Sequence, residues 1–156
     1  MRKLNPSYVQ AVNDIVNRCP YFSLLSMSIR EIEIGQSLLH VDAQNKHLQP
    51  FGAVHGGVFA SIIDAAVFWA VFPEVDEDLS MTTVDLKVHY LAPAQGGKLI
   101  AKGRRIKVGK TLALGDAEVS NEEGKALAHG TSILMILRNP EMKIAPSLPP
   151  KFLKED

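Results

Sequence analysis

A single cysteine, Cys19, in 156 residues leaves no partner for an intramolecular disulfide. Nothing is stapled, and the chain suits a reducing compartment. Net charge is missing too: 17 basic side chains balance 17 acidic ones, so no overall field gathers nucleic acid or an anionic membrane. An anionic ligand would have to meet a local basic patch. The N-terminal MRKLNPSYVQ lacks the apolar region of a secretory signal, and no run is read as approaching the eighteen or so apolar residues of a membrane span. These absences predict a cytoplasmic protein without nucleic-acid or membrane partners. His40, His47, His89 and His129 are scattered without metal-ligand spacing, so no metal is expected and structural or surface roles are. A serine nucleophile elbow, a phosphate-cradling loop and a dinucleotide fingerprint are all absent from the sequence.

What is present reads as one domain over residues 1–138, followed by a tail. Val9, Val12, Ile15 and Val16, after Asn-Pro-Ser, predict an amphipathic helix over about 5–18. Two short strand-like runs between Ser28 and Ala43, divided by Gly35-Gln36, predict a hairpin, and the polar stretch from Gln44 to Val54 a loop. Residues 57–72, GVFASIIDAAVFWAVF, are apolar on nearly every side and stop at Pro73, which predicts a helix buried all round. Next, Val84, Leu86, Val88 and Tyr90 alternate with Asp85, Lys87 and His89, giving a strand with one dry and one wet face. Runs at 99–108, 111–120 and 125–137, joined by short turns, complete an antiparallel set. The fold class is α+β, with an antiparallel sheet wrapped around the long apolar helix. Residues 139–156 hold four of the nine prolines and predict an irregular, frayed extension, with Ile144, Leu148 and Phe152 as its packing candidates.

The chemistry-bearing residue is Asp64, which shares its helix with only one other polar side chain, Ser61. A carboxylate in apolar surroundings is held there by hydrogen bonds, by a counter-charge or by a functional site. Gly56 and Gly57 precede the helix, where unpaired N–H groups carry partial positive charge and suit an oxyanion. Such preorganised donors stabilise a developing oxyanion by about 3 to 4 kcal/mol each; a tight turn needing glycine is the plainer reading. Asp64 lies seven positions beyond Gly57, which is roughly 10 Å along a helix. That is too far for one carbonyl to touch both. The spacing therefore predicts a two-fold homodimer with shared sites, each taking Gly56 from one chain and Asp64 from the other.

The segment PFGAVHGGVFASIIDAAV, together with the later TTVDLKVHYLAPA and GKALAHGT, resembles the hotdog-fold acyl-CoA thioesterases of the phenylacetate-degradation type over residues 20–138. The resemblance implies that Asp64 is general base or nucleophile, that the Gly56 N–H polarises the thioester carbonyl and that His55 holds the loop. Gln49 would help to place the attacking water. Thr83, with Thr82 beside it, matches a hydroxyl position of the following strand. It also implies a dimer of dimers, and coenzyme A as part of the substrate rather than a cofactor. The substrate is then an acyl-CoA, with an aromatic or medium-chain acyl group as the candidate class.

Around this core, Gly57, Ser61, Phe68 and Tyr90 are candidates for substrate contact, Phe68 and Trp69 being ordinary core residues on the plainer reading. His89 is carried as a candidate contact beside its surface reading. Arg104, Arg105, Lys107 and Lys110, with Val108 and Gly109 at a hairpin turn, could take the phosphates of coenzyme A or simply solvate a sheet edge. The alternative to hydrolysis is a non-catalytic acyl-CoA binding or sensing domain, for which a carboxylate beside a carbonyl has no evident use. A hydratase on the same fold would pair an Asp and a His on the site helix and its preceding loop, whereas His55 belongs to the glycine turn.

Overall fold

A computed structural model describes residues 2–139 and 141–154. Pro140, Glu155 and Asp156, which belong to the predicted tail, and Met1 lie outside the described residues. Six strands form one antiparallel sheet: β1 (Met27–Glu33), β2 (Gln36–Ala43), β3 (Ser80–Tyr90), β4 (Gly97–Val108), β5 (Leu112–Ser120) and β6 (Ala126–Leu137). Their spatial order is β1-β2-β4-β5-β6-β3. Between β2 and β3 runs the helix α3 (Gly56–Val71), which contacts every strand. The sheet curls around that helix, the hotdog arrangement that the resemblance implies. Two shorter helices, α1 (Pro6–Val16) and α2 (Pro20–Leu24), precede β1. Asn5 caps α1 by accepting from the Ser7 N–H at 3.0 Å. The five-residue α2 is not foreseen from the sequence because it is too short to show a helical period.

Small residues let α3 lie close to the sheet. Gly103, Ala117 and Gly130 are paired side by side across β4, β5 and β6. A Cβ on Gly103 would sit 2.2 Å from the Ala66 carbonyl oxygen, and one on Gly115 would sit 2.6 Å from Val67 Cγ1. Ser37 Oγ donates to that same Ala66 oxygen at 2.6 Å and ties the helix to β2.

Three expectations about α3 and β3 need correction. First, α3 is not buried all round. Ile62, Ile63, Ala66, Val67, Ala70 and Val71 are fully buried, but Gly57, Ala60, Ser61, Asp64, Ala65 and Phe68 keep access to solvent. That open stripe follows the helical period, and six strands do not reach around to cover it. Second, the continuous helical span Gly56–Glu74 is, at 19 residues, long and apolar enough to cross a bilayer by length and composition. Its hydrophobicity is spent on the sheet, against which most of it is buried. Third, Val84 and Tyr90 are not dry: they are 49% and 59% exposed, although Tyr90 lies on the helix side with Leu86 and Val88, which are half-buried as expected. The ladder pairs Thr83 with Leu134 and then Asp85 with Ile133, so Val84 is an extra residue, a β-bulge that breaks the alternation.

The tail is irregular but docked rather than frayed. Leu4 and Phe152 form an antiparallel bridge, the Asn5 N–H donates to Lys151 O at 2.9 Å, and Ile144 and Leu148 pack on the core. Lys151 is buried. Its ammonium donates to the carbonyl oxygens of Phe72, at 2.6 Å, and Val75, and stands 4.4 Å from the Phe72 ring centre. Burial lowers this lysine from 10.5 to about 8. Below about pH 8 the folded and unfolded lysines are both charged and the cost of burial is fully present; from there to 10.5 the unfolded chain holds more protons, so stability climbs. Tyr8, pushed up from 10.0 to about 12 by burial with Glu77 adding to it, gives the opposite slope once pH exceeds 10. The melting temperature is therefore expected to rise between pH 8 and 10, and Lys151→Met to remove most of that rise. Equal slopes in the two proteins would refute the assignment.

Candidate active site

The N-terminus of α3 is built by His55, whose extended backbone ends the loop and whose Nδ1 accepts from the Gly57 N–H at 2.8 Å. This is a side-chain cap on the helix, and it leaves the ring proton on Nε2. The Gly56 N–H has no hydrogen-bond partner among the described residues. Space is tight at both glycines. A Cβ on Gly56 would lie 3.0 Å from Tyr90 Cζ and one on Gly57 3.0 Å from His55 Nδ1. Tyr90 closes the turn by donating to Gly56 O at 3.1 Å. Gln49, Gly56, Tyr90, Leu91 and Pro93 border a cavity of about 380 Å³. Part of Gln49 is already engaged, since its carboxamide oxygen accepts from the Phe51 N–H of its own loop.

Asp64 sits two turns further on, on the open stripe. Its Oδ1 accepts from Thr83 Oγ1 at 2.8 Å and from the fully buried Ser132 Oγ at 3.3 Å. The bulge at Val84 is what turns Thr83 inward: both Thr83 and Leu86, three residues apart, face the helix, where strict alternation would send one of them away. Among the described residues Oδ2 accepts from nothing and no cation pairs with Asp64, so one oxygen is left toward an adjoining cavity of about 360 Å³. Tyr21, Ser61, Phe68, Trp69 and Leu86 border that cavity. Ser61 Oγ donates to Gly57 O at 2.8 Å; having spent its one proton, it accepts from Tyr21 OH at 2.7 Å.

The sequence-predicted residues thus divide into two groups within one chain. Gly56, Gln49 and Tyr90 gather at the helix start, while Asp64, Ser61, Thr83 and Phe68 gather around the other cavity. Thr82 is exposed and alternates away from α3. His89 projects from the sheet face opposite Tyr90, so this chain does not bring it to Asp64. The basic stretch is largely committed elsewhere: Arg105 pairs with Glu74 at 2.6 Å and Arg104 with Asp116 at 3.0 Å, holding the Asp116 carboxyl below its ordinary range. Lys107 and Lys110 are exposed, Val108 is half-buried, and the Gly109 N–H closes the hairpin onto Leu112 O at 2.8 Å. The register places this hairpin at the Thr82 end of β3, the far end from Tyr90 and Gly56. Tyr21 and Ser132 are site neighbours that sequence reasoning missed. For Ser132 a signal existed, a hydroxyl directly before the apolar run from Ile133 to Leu137; for Tyr21 there was none. No three of His, Cys, Asp and Glu converge as a metal site among the described residues.

The arrangement offers a carboxylate with one unengaged oxygen and, elsewhere on the same helix, an unpartnered N–H in a positive helix terminus. The Thioesterase superfamily profile matches residues 51–128. A Caenorhabditis elegans protein carrying an esterase name is 32% identical over 122 residues, spanning 76% of this chain and 72% of its own. The 1,4-dihydroxy-2-naphthoyl-CoA hydrolase of Listeria monocytogenes is 24% identical over 103 residues, spanning 66% of this chain and 84% of its own. The crystal structure of a thioesterase family protein from Silicibacter pomeroyi superposes with a TM-score of 0.77 at 29% identity, covering 85% of this chain and 99% of that one.

Proposed function

Because this chain belongs to the thioesterase superfamily and is accordingly a thioester hydrolase, we propose that it cleaves an acyl-CoA to the free acid and coenzyme A. Asp64 serves as general base, its free oxygen taking a proton from water as the water oxygen bonds to the thioester carbonyl carbon. The C–S bond then breaks and the departing sulfur takes up a proton. Thr83 and Ser132 hold the other oxygen and so aim the carboxylate. In the variant route Asp64 attacks directly and forms an anhydride. Heavy-oxygen water in a single turnover separates the two, because label inside Asp64 marks the covalent route.

The observation that carries this reading is the division of the site. Asp64 and the Gly56 N–H border different cavities of one chain, and a partner copy of α3 running antiparallel would bring one Gly56 to the other Asp64. β3 supports such pairing, being an edge strand of 11 residues with exposed Val84 and Tyr90. We extend this to a dimer of dimers in the cytoplasm, with Lys107 and Lys110 meeting the phosphates of coenzyme A. The relative from Listeria, by its name, acts on an aromatic acyl-CoA, which supports an aromatic or medium-chain acyl group here. Thiol release across short, medium, long and aromatic acyl-CoAs tests the reading. Release is expected from at least one class. Tight binding of CoA esters with no release from any would overturn hydrolysis in favour of a binding domain.

A further inference from the structure

The open stripe of α3 does not end at Asp64. Ser61, Asp64, Phe68 and Phe72 follow at intervals of three or four and stand in one line. Phe68 borders two cavities: on one side that of Asp64, of about 360 Å³, and on the other a chamber of about 430 Å³. Each lies in the range that holds a small ligand. The walls of the chamber include Leu79, Met81, Ile144 and Leu148, which suit an alkyl chain, beside the polar Glu77 and Lys151, and tail residues from Met142 to Lys151 form one side of it.

The ring of Phe68 is braced rather than loose. It stacks on Phe72 at 6.0 Å with an interplanar angle of 19° and meets Trp69 edge-on at 5.1 Å. Phe72 is in turn held from behind by the Lys151 ammonium at 4.4 Å. The docked tail therefore supports the partition between the two spaces.

We propose that Phe68 is the end wall of the acyl site and sets the length of acyl group accepted, with the tail-lined chamber receiving the distal part of a longer chain once that ring is cut back. The inference rests on the acyl-CoA reading. It assigns specificity to a ring one helical turn from Asp64 and to a tail that sequence alone places outside the domain.

The test is kcat/KM for saturated acyl-CoAs from acetyl to palmitoyl, measured on full-length wild type, Phe68→Leu and Phe68→Ala. Wild type should peak at short or medium chains. In Phe68→Ala the ratio of long-chain to short-chain kcat/KM should rise about tenfold or more, chiefly through KM, as expected when several methylenes gain an apolar pocket. Phe68→Leu should move the same way by less; if the alanine variant does not fold, it decides alone. An unchanged length ranking in a folded variant overturns the wall, as does a wild type already preferring palmitoyl. Absence of any thioester cleavage by wild type sinks the acyl-CoA reading instead.

Discussion

Asp64→Asn is expected to lower kcat for the best acyl-CoA by about 10³-fold while leaving KM within about threefold, the range for removing a general base without removing binding contacts. Asparagine keeps the size of the side chain and an oxygen to accept from Thr83 and Ser132, so the local packing survives. What it loses is the capacity to take a proton. Because Asp64 lies on the uncovered stripe of α3 and not in its buried flank, the fold should be untouched and circular dichroism unchanged. A residual activity within about tenfold of wild type would remove Asp64 from the chemistry. The same variant tests the shared site. Mixed with Gly56→Val, whose side chain would press into the Tyr90 ring, it forms hybrid dimers with one intact site in two, and about a quarter of wild-type activity should return. Hybrids that form and stay inactive would mean that each chain supplies its whole site.

Gly103→Ala should lower the melting temperature by about 10 °C, corresponding to roughly 3 kcal/mol of overpacking in a chain of this size. The added methyl would meet Ala66 O at 2.2 Å and Ser37 Oγ at 2.5 Å. Ala66 O is backbone of the helix itself and cannot swing aside as Ser37 Oγ can, so α3 must lift from β4. Lifting the helix also moves Asp64 relative to Thr83, and thioesterase activity should fall with stability. A melting temperature within about 2 °C of wild type would show that the helix reseats at little cost.

The parts of the molecule that were legible from the sequence are those decided locally. The apolar run of α3, the glycines before it and the alternation in the later strands carry their own period, and Asp64 stands out as the only charge in its helix. What escaped depends on contacts far apart along the chain. Hydrophobic letters state what can be buried, not what is covered, so the open stripe was invisible in a segment apolar on every side. The tail looked frayed because its anchors are Lys3, Asn5 and the carbonyls at the end of α3, more than seventy residues away. Arg105 looked available until Glu74, 31 positions off, claimed it. Thr83 entered through resemblance alone, since strict alternation would have set it on the wet face beside Asp85.

The single surplus residue in β3 has a practical meaning for anyone carrying this site to another protein. Thr82 and Thr83 are adjacent, and only Thr83 turns to the carboxylate, because the strand gains one residue just after it. Counting back from Tyr90 by twos assigns the hydroxyl to the wrong neighbour, whereas counting from the interruption finds the right one. Deletions that tidy the pairing would keep every other letter of the motif and still disconnect it.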